Sequence, residues 1–90
     1  MGAIIEAIIE ACEEAGEQWA IDVWHELPEV RARVNWWPGD VGDGALLTAQ
    51  HAARHAGAHW CEIDSGARSD AIDAVLRGAR VTWARLEAHS

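Results

Sequence analysis

GEQWAIDVW, residues 16–24, is the stretch that decides whether this chain is all helical or combines helices with a sheet. As a strand it alternates large apolar residues with small or polar ones, the large residues being Trp19, Ile21 and Val23. As a helix it would continue the preceding segment at about 100° per residue, which brings Asp22 and Glu26 onto the stripe of Ile4 and Ile8. Two acids on an apolar stripe break the helical pattern, so the stretch favours a strand.

The segment before it, Ala3 to Ala15, has the pattern of an amphipathic helix. One face carries the apolar residues Ile4, Ile5, Ile8, Ile9 and Cys12. The other face carries glutamates, which are Glu6, Glu10, Glu13, Glu14 and Glu17. Gly16 stands where a glycine commonly ends a helix, so we predict that the helix stops there.

The segment after the deciding stretch repeats the strand pattern. Apolar and small residues again alternate along it, namely Val30, Ala32, Val34 and Trp36. Because the connection His25–Glu29 contains Pro28, the two runs predict a β-hairpin with a long turn. The alternative is a helix that continues to Leu27 and a second helix that Pro28 opens, since proline is favoured at the first helical position.

The second half of the chain predicts two more helices and a short strand. Ala45 to Ala56 has a small-residue helical face, and Gly57 is expected to end that helix. His59 to Asp64 is predicted to be a third strand, followed by a turn at Ser65-Gly66. The last helix is predicted to begin at Ser69, a favoured N-cap residue. Its apolar stripe consists of Ile72, Val75, Leu76, Ala79, Trp83 and Leu86.

The assembled pattern predicts an α+β fold in a single domain that spans residues 1–90. Its elements are a helix, a β-hairpin, a helix, a short strand and a C-terminal helix, with the helices packed on a small sheet. If residues 18–37 are helical instead, the alternative is an all-α four-helix bundle.

The charge of the chain is concentrated in its first third. The formal net charge is −8, and residues 1–30 contain eight acids and no Arg, whereas residues 31–90 contain seven acids and seven Arg. A nucleic-acid-binding protein needs a basic surface against the phosphates, so direct nucleic-acid binding is not expected. The acidic segment instead favours a partner protein with a basic surface.

The compartment is inferred from what the sequence lacks. No charged-then-apolar leader opens the sequence, and its longest apolar run is far short of the about 20 residues that a membrane span requires. Cys12 and Cys61 are too few for a disulfide framework. A cytoplasmic location with reduced thiols, and no membrane contact, is therefore the expectation.

A candidate zinc site lies in the second half. His51, His55 and His59 recur at every fourth residue, and Cys61 follows them. Two histidines one helical turn apart share a face and can bind one metal ion, and a nearby thiolate suits Zn²⁺. The competing interpretation is a solvated face, because these histidines lie opposite the small-residue face of their helix.

A second candidate metal site is acidic. Residues 13–17, EEAGE, resemble the EExxE motif of MazG-like nucleotide pyrophosphohydrolases. In that all-helical family the motif and a downstream ExxD hold magnesium against a triphosphate. The resemblance implies a metal-dependent hydrolase with Asp40–Asp43 or Asp70–Asp73 as the second half, although both depart from the family pattern at the first position. Such a site requires a helix that continues through Glu17, where Gly16 predicts a stop.

The acidic face of the first helix favours a role in binding a protein. Its like charges, about 5–6 Å apart, destabilise the isolated helix slightly, so the stripe serves either to meet a basic surface or to keep the protein soluble. We expect three tryptophans to join it in the contact surface, namely Trp24, Trp36 and Trp37. Trp36 and Trp37 cannot both face inward on a strand, so one is available to another protein or to a second copy in a homodimer.

The size and acidity of the chain resemble those of phage anti-defence proteins, including anti-CRISPRs. That resemblance implies an inhibitor that occupies a nucleic-acid-binding groove by imitating its negative charge. The leading hypothesis is therefore a non-enzymatic interaction module with no cofactor. A metal-dependent hydrolase is the alternative, and a purely structural subunit is the third hypothesis.

Overall fold

The computed structural model describes residues 2–26 and 44–89, with side chains in the first segment from residue 5 to residue 25. These residues form three α-helices: α1 (Gly2–Glu26), α2 (Gly44–His55) and α3 (Ser65–Ala88). A single 3-10 turn, Trp60–Glu62, lies between α2 and α3. No strand occurs in the described part of the chain, so the predicted α+β fold is wrong and the all-α alternative fits.

Helix α1 continues through the glycine that was predicted to end it. A methyl group built on Gly16 would lie 2.9 Å from the carbonyl carbon of Val75 in α3, and closer still to its oxygen. Glycine at this position therefore serves a close approach of two helix backbones. Its lower helix propensity, about 0.5–1 kcal/mol against alanine, is offset by tertiary packing.

The buried stripe of α1 also explains why residues 18–23 are helical rather than extended. The stripe advances in steps of four residues, through Ile8, Cys12, Gly16, Ala20 and Trp24. Each step turns about 400° around the helix, so the stripe drifts by about 40° per step. Asp22 lies about 40° from the angular position of Ile8 but about 160° from that of Trp24, and it is exposed. The predicted strand assumed a stripe at a fixed angle.

Helices α1 and α3 run parallel, because later residues of α1 contact later residues of α3. Gly16 lies against Val75, and further along, the ring of Trp24 packs edge-to-face on Trp83 at a centroid distance of 5.0 Å. The approach is reciprocal, because a methyl group on Gly78 would lie 3.0 Å from the carbonyl carbon of Glu13. Spacings of four residues on both helices are typical of ridge-and-groove packing between small side chains.

Helix α2 runs antiparallel to α1. The thiol of Cys12 donates to the carbonyl of Ala49 at 3.9 Å, whereas the later residue Trp19 packs beside the earlier residue Gly44. The buried residues of α2 are all alanines, so this helix lies close to both long helices. Its predicted extent is confirmed to within a residue at each end.

The connection from α2 to α3 corrects three local predictions. Gly57, with φ of +88°, follows α2 as predicted. The predicted strand His59–Asp64 is wrong, because a 3-10 turn lies within it. Asp64 caps α3 by accepting from the backbone N–H of Ala67 at 2.8 Å, so the helix starts well before Ser69. The predicted turn at residues 65–66 is the first turn of α3.

The predicted hairpin's second strand and its connection at residues 27–29 lie outside the described residues. Within the described helices, none combines the length and the apolar character that crossing a bilayer requires.

Candidate functional site

The glutamate stripe of α1 is formed by the residues that the sequence suggested. Glu6, Glu10, Glu14 and Glu17 are exposed along one side of the helix. At 1.5 Å of rise per residue, the stripe from Glu6 to Glu17 is about 16 Å long. None of these four carboxylates forms an ion pair with a cation of the described residues. The stripe is therefore an uncompensated negative surface in this part of the molecule.

Glu13 is the exception within the stripe. Its Oε1 accepts from the Nε of Arg77 at 3.1 Å and also from a terminal nitrogen of the same guanidinium. Both side chains remain about half exposed, so this pair contributes little to stability, about 0–1 kcal/mol. The pair matters more for surface charge than for folding stability, because it neutralises one of the five carboxylates of the stripe. It also links the stripe to α3.

The tryptophans do not extend this surface in the described residues. Trp24 is 8% exposed and belongs to a core cluster with Ala20, Ala79 and Trp83. The prediction that Trp24 is exposed and available to a partner is wrong, because its position on α1 directs its ring against Trp83 of α3. Trp36 and Trp37 lie outside the described residues, so their role stays a prediction.

The candidate zinc ligands are partly brought together. His51, His59 and Cys61 line one shallow cleft beside Trp60, whereas His55 is exposed and does not line it. Among the described residues, no three His, Cys, Asp or Glu side chains are close enough to hold a metal ion. The zinc interpretation therefore stays a prediction without geometric support.

The acidic motif resembling EExxE meets one requirement of its family and lacks another. The helix is continuous through Glu17, as the resemblance requires. However, Glu13 is held by Arg77, and no group of three carboxylates in the described residues could share a metal ion. Of the two candidate second halves, Asp70 and Asp73 are exposed on α3, and Asp40–Asp43 lies outside the described residues. The hydrolase interpretation therefore stays a prediction.

The two thiols differ sharply in environment. Cys12 is fully buried between α1 and α2, and burial raises the pKa of its thiol from 9.0 to about 11. A thiol held in its protonated form is a poor nucleophile, so Cys12 acts in packing, as its place on the apolar face predicted. Cys61 is exposed on the 3-10 turn.

An apolar cleft, which the sequence did not reveal, opens where the start of α1 meets the start of α3. It has a volume of about 460 Å³. Its lining is mostly aliphatic or small, and the residues that define it are Ile5, Ile8, Ala58, Ile63 and Ala67. Ile5 was placed on the buried face of α1, but its side chain is 44% exposed at the cleft.

Comparisons with known proteins give no match to a family model, to a curated protein or to a solved structure.

Proposed function

We propose that this chain is a non-enzymatic interaction module whose α1 glutamate stripe binds a basic surface on another protein. The observation that carries the proposal is the state of the stripe: four of its five carboxylates are exposed and lack an ion partner among the described residues. Charges kept in water on a rigid helix are already arranged for an incoming cationic surface, and they steer association at long range.

The spacing of the stripe suits a partner that normally binds a nucleic-acid backbone. The four glutamates that lack an ion partner among the described residues, spread over about 16 Å of helix, correspond to one charge per about 5 Å, while one strand of DNA carries a charge per about 3.4 Å. A groove built for phosphates therefore meets a line of negative charges on α1 with a spacing of the same order. The chain would act as an inhibitor by occupying that groove, and the negative net charge of −8 keeps it away from nucleic acid itself.

The experiment compares two double charge reversals that change the net charge equally. One variant carries Glu10→Arg and Glu14→Arg in the stripe, and its matched control carries Asp70→Arg and Asp73→Arg on the exposed surface of α3. Proteins captured by the wild-type chain from host extract are identified, purified and tested for duplex DNA binding in the presence of each variant. Circular dichroism confirms that both variants fold.

The stripe variant is expected to lose at least about tenfold in affinity at low salt, and the loss shrinks as salt screens the surface charges. The α3 control should retain most of the binding. Equal loss in both variants would reduce the effect to net charge and refute a role for the stripe. Capture of proteins that bind no nucleic acid would refute the proposal that the chain is an inhibitor of a nucleic-acid-binding protein. The proposal that it is an interaction module would still stand.

The ion pair between Glu13 and Arg77 supplies a test in the opposite direction. Arg77→Gln frees the carboxylate of Glu13 and makes the stripe more negative. The variant is therefore expected to bind the same partner more tightly, by a few-fold, with a steeper salt dependence. Weaker binding of Arg77→Gln would mean that Arg77, rather than the stripe, contacts the partner.

A further inference from the structure

The apolar cleft at the start of α1 is bordered by acids. Glu62 and Asp64 line it together with its aliphatic residues, and Glu6 follows Ile5 directly in the chain. Among the described residues that line the cleft, His59 is the only side chain that can become positive. An apolar floor with a negative border is complementary to an apolar side chain that has cationic residues beside it.

The walls of the cleft are held by the fold before any ligand arrives. Ile8 at its base is 4% exposed and packed in the main core. Asp64 is fixed as the cap of α3, and Gly57, with its positive φ, fixes the turn that carries Ala58 into the lining. A preformed site loses little conformational freedom on binding, which improves affinity for a given area.

The exposed isoleucine supplies the driving force. Ile5 keeps 44% of its surface in water, and the half-buried Ile63 lines the same cleft. Covering such surface releases water from apolar groups, whereas the glutamate stripe alone would give binding that salt screens away. Ile5 and Ile8 lie on the apolar face of α1 and the glutamate stripe lies on the other face, so the acids beside the cleft are Glu62 and Asp64 rather than the stripe.

We propose that the cleft receives an apolar side chain from a basic amphipathic helix of the partner protein, whose Arg and Lys residues lie against Glu62 and Asp64. This inference rests on the proposed function and deepens it, because it names the segment of the partner that binds. The cleft gives the pairing its register, and the stripe gives it long-range attraction.

The test uses two synthetic peptides of the same composition. The first places leucines on one face of a helix and arginines on the other, and the second has the same residues in shuffled order. Each is titrated into the ¹⁵N-labelled full chain, and amide shifts and affinities are measured. The patterned peptide is expected to bind more tightly and to shift the amides of residues 5–8 and 57–67.

Two variants with equal exposure separate the cleft from the general surface. Ile5→Ser removes the apolar edge of the cleft, while Val81→Ser removes an isoleucine-like side chain that is also 44% exposed but lies on α3 outside the cleft. Ile5→Ser should weaken the patterned peptide by about fivefold, from the apolar area lost, and leave the shuffled peptide unchanged. Val81→Ser should leave both affinities unchanged.

The outcomes distinguish the two proposals. If Ile5→Ser has no effect while the Glu10→Arg and Glu14→Arg variant loses affinity, the cleft assignment fails and the stripe stands. If that stripe variant binds the captured partner protein as well as the wild type does, the proposed function fails. Sedimentation of the protein alone is the last control, since a dimer in which Ile5 is protected would identify a second copy as the occupant and overturn the inference.

Discussion

Replacing Gly16 with alanine is the sharpest test of the fold. In an ordinary helix this change is stabilising by about 0.5–1 kcal/mol, because alanine loses less conformational freedom than glycine on folding. Here the new methyl group would meet the backbone of Val75 at 2.9 Å from its carbonyl carbon. Carbon atoms prefer separations of about 3.5–4.0 Å, so α1 and α3 would have to separate by about 1 Å.

The cost follows from that separation. A gap of about 1 Å forfeits up to about half of the dispersion energy of the atoms that line it, and overpacking commonly costs about 1–3 kcal/mol. The obstacle is backbone, which cannot rotate away as a side chain can. After subtracting the gain in helix propensity, we expect Gly16→Ala to lower the free energy of unfolding by about 2 kcal/mol. In a domain of this size that lowers Tm by about 10 °C.

Gly66→Ala is the matched control, since it makes the same change on an exposed helical position of α3. The nearest atom to its new methyl group is the capping oxygen of Asp64 at 3.3 Å, which needs to shift by only a few tenths of an ångström. This variant should be neutral or slightly stabilised. Urea unfolding followed by circular dichroism measures both. A Gly16→Ala protein as stable as Gly66→Ala would refute the close parallel packing of α1 and α3.

The double variant Gly16→Ala and Gly78→Ala adds a coupling test. Both methyl groups are accommodated by the same separation of α1 and α3, because each glycine faces the backbone of the other helix. Once one substitution has opened the interface, the second meets less resistance. The combined loss of stability should therefore be smaller than the sum of the two single losses. Additive losses would indicate two independent local distortions.

Two further predictions concern a buried thiol and a helix cap. Because burial raises the pKa of Cys12 from 9.0 to about 11, the folded state favours the neutral thiol, and the stability this provides is complete below pH 9 and lost as pH rises toward 11. The chain has no Lys or Tyr to titrate in that window, so urea unfolding at pH 8–11 should show a decline that Cys12→Ala abolishes and Cys61→Ala keeps. Asp64→Ala should lower the free energy of unfolding by about 1 kcal/mol, because the cap of α3 is lost. Ser69→Ala, within the same helix, should lower it by no more than a few tenths of that value. Equal losses would contradict the observed start of α3.

The start of α3 shows where local reasoning from the sequence succeeds and fails. Helix α2 was predictable because its alanine face and Gly57 are local signals that agree. For α3, both Asp64 and Ser69 are good cap residues, and Gly66 argued against a helix in between. The structure places the cap at Asp64, because the following turn can pack Ala67 at the cleft. That preference depends on contacts with α1, which no local pattern contains.

The length of α1 could not be predicted for the same reason. Gly16 is a helix terminator by its own propensity and a packing residue only in the presence of Val75. Likewise, Asp22 conflicts with a helix only if the buried face of α1 stays at one angle around the helix axis. That angle drifts, because the residues of α1 that contact α3 are spaced by four positions. The exposed glutamates, in contrast, were predictable, since a charged face needs only water as its neighbour.

The parallel pairing of α1 with α3 sets the order of events during folding. The two longest helices come from distant parts of the chain, as the sequence separation of 64 between Glu13 and Arg77 illustrates. A nascent chain can pack α2 on α1, but it cannot complete the burial of the apolar face of α1 until synthesis has passed Trp83. Most small helical proteins fold quickly through neighbouring segments. This topology should fold more slowly than they do, and truncation before α3 should leave a helix that aggregates or recruits a chaperone.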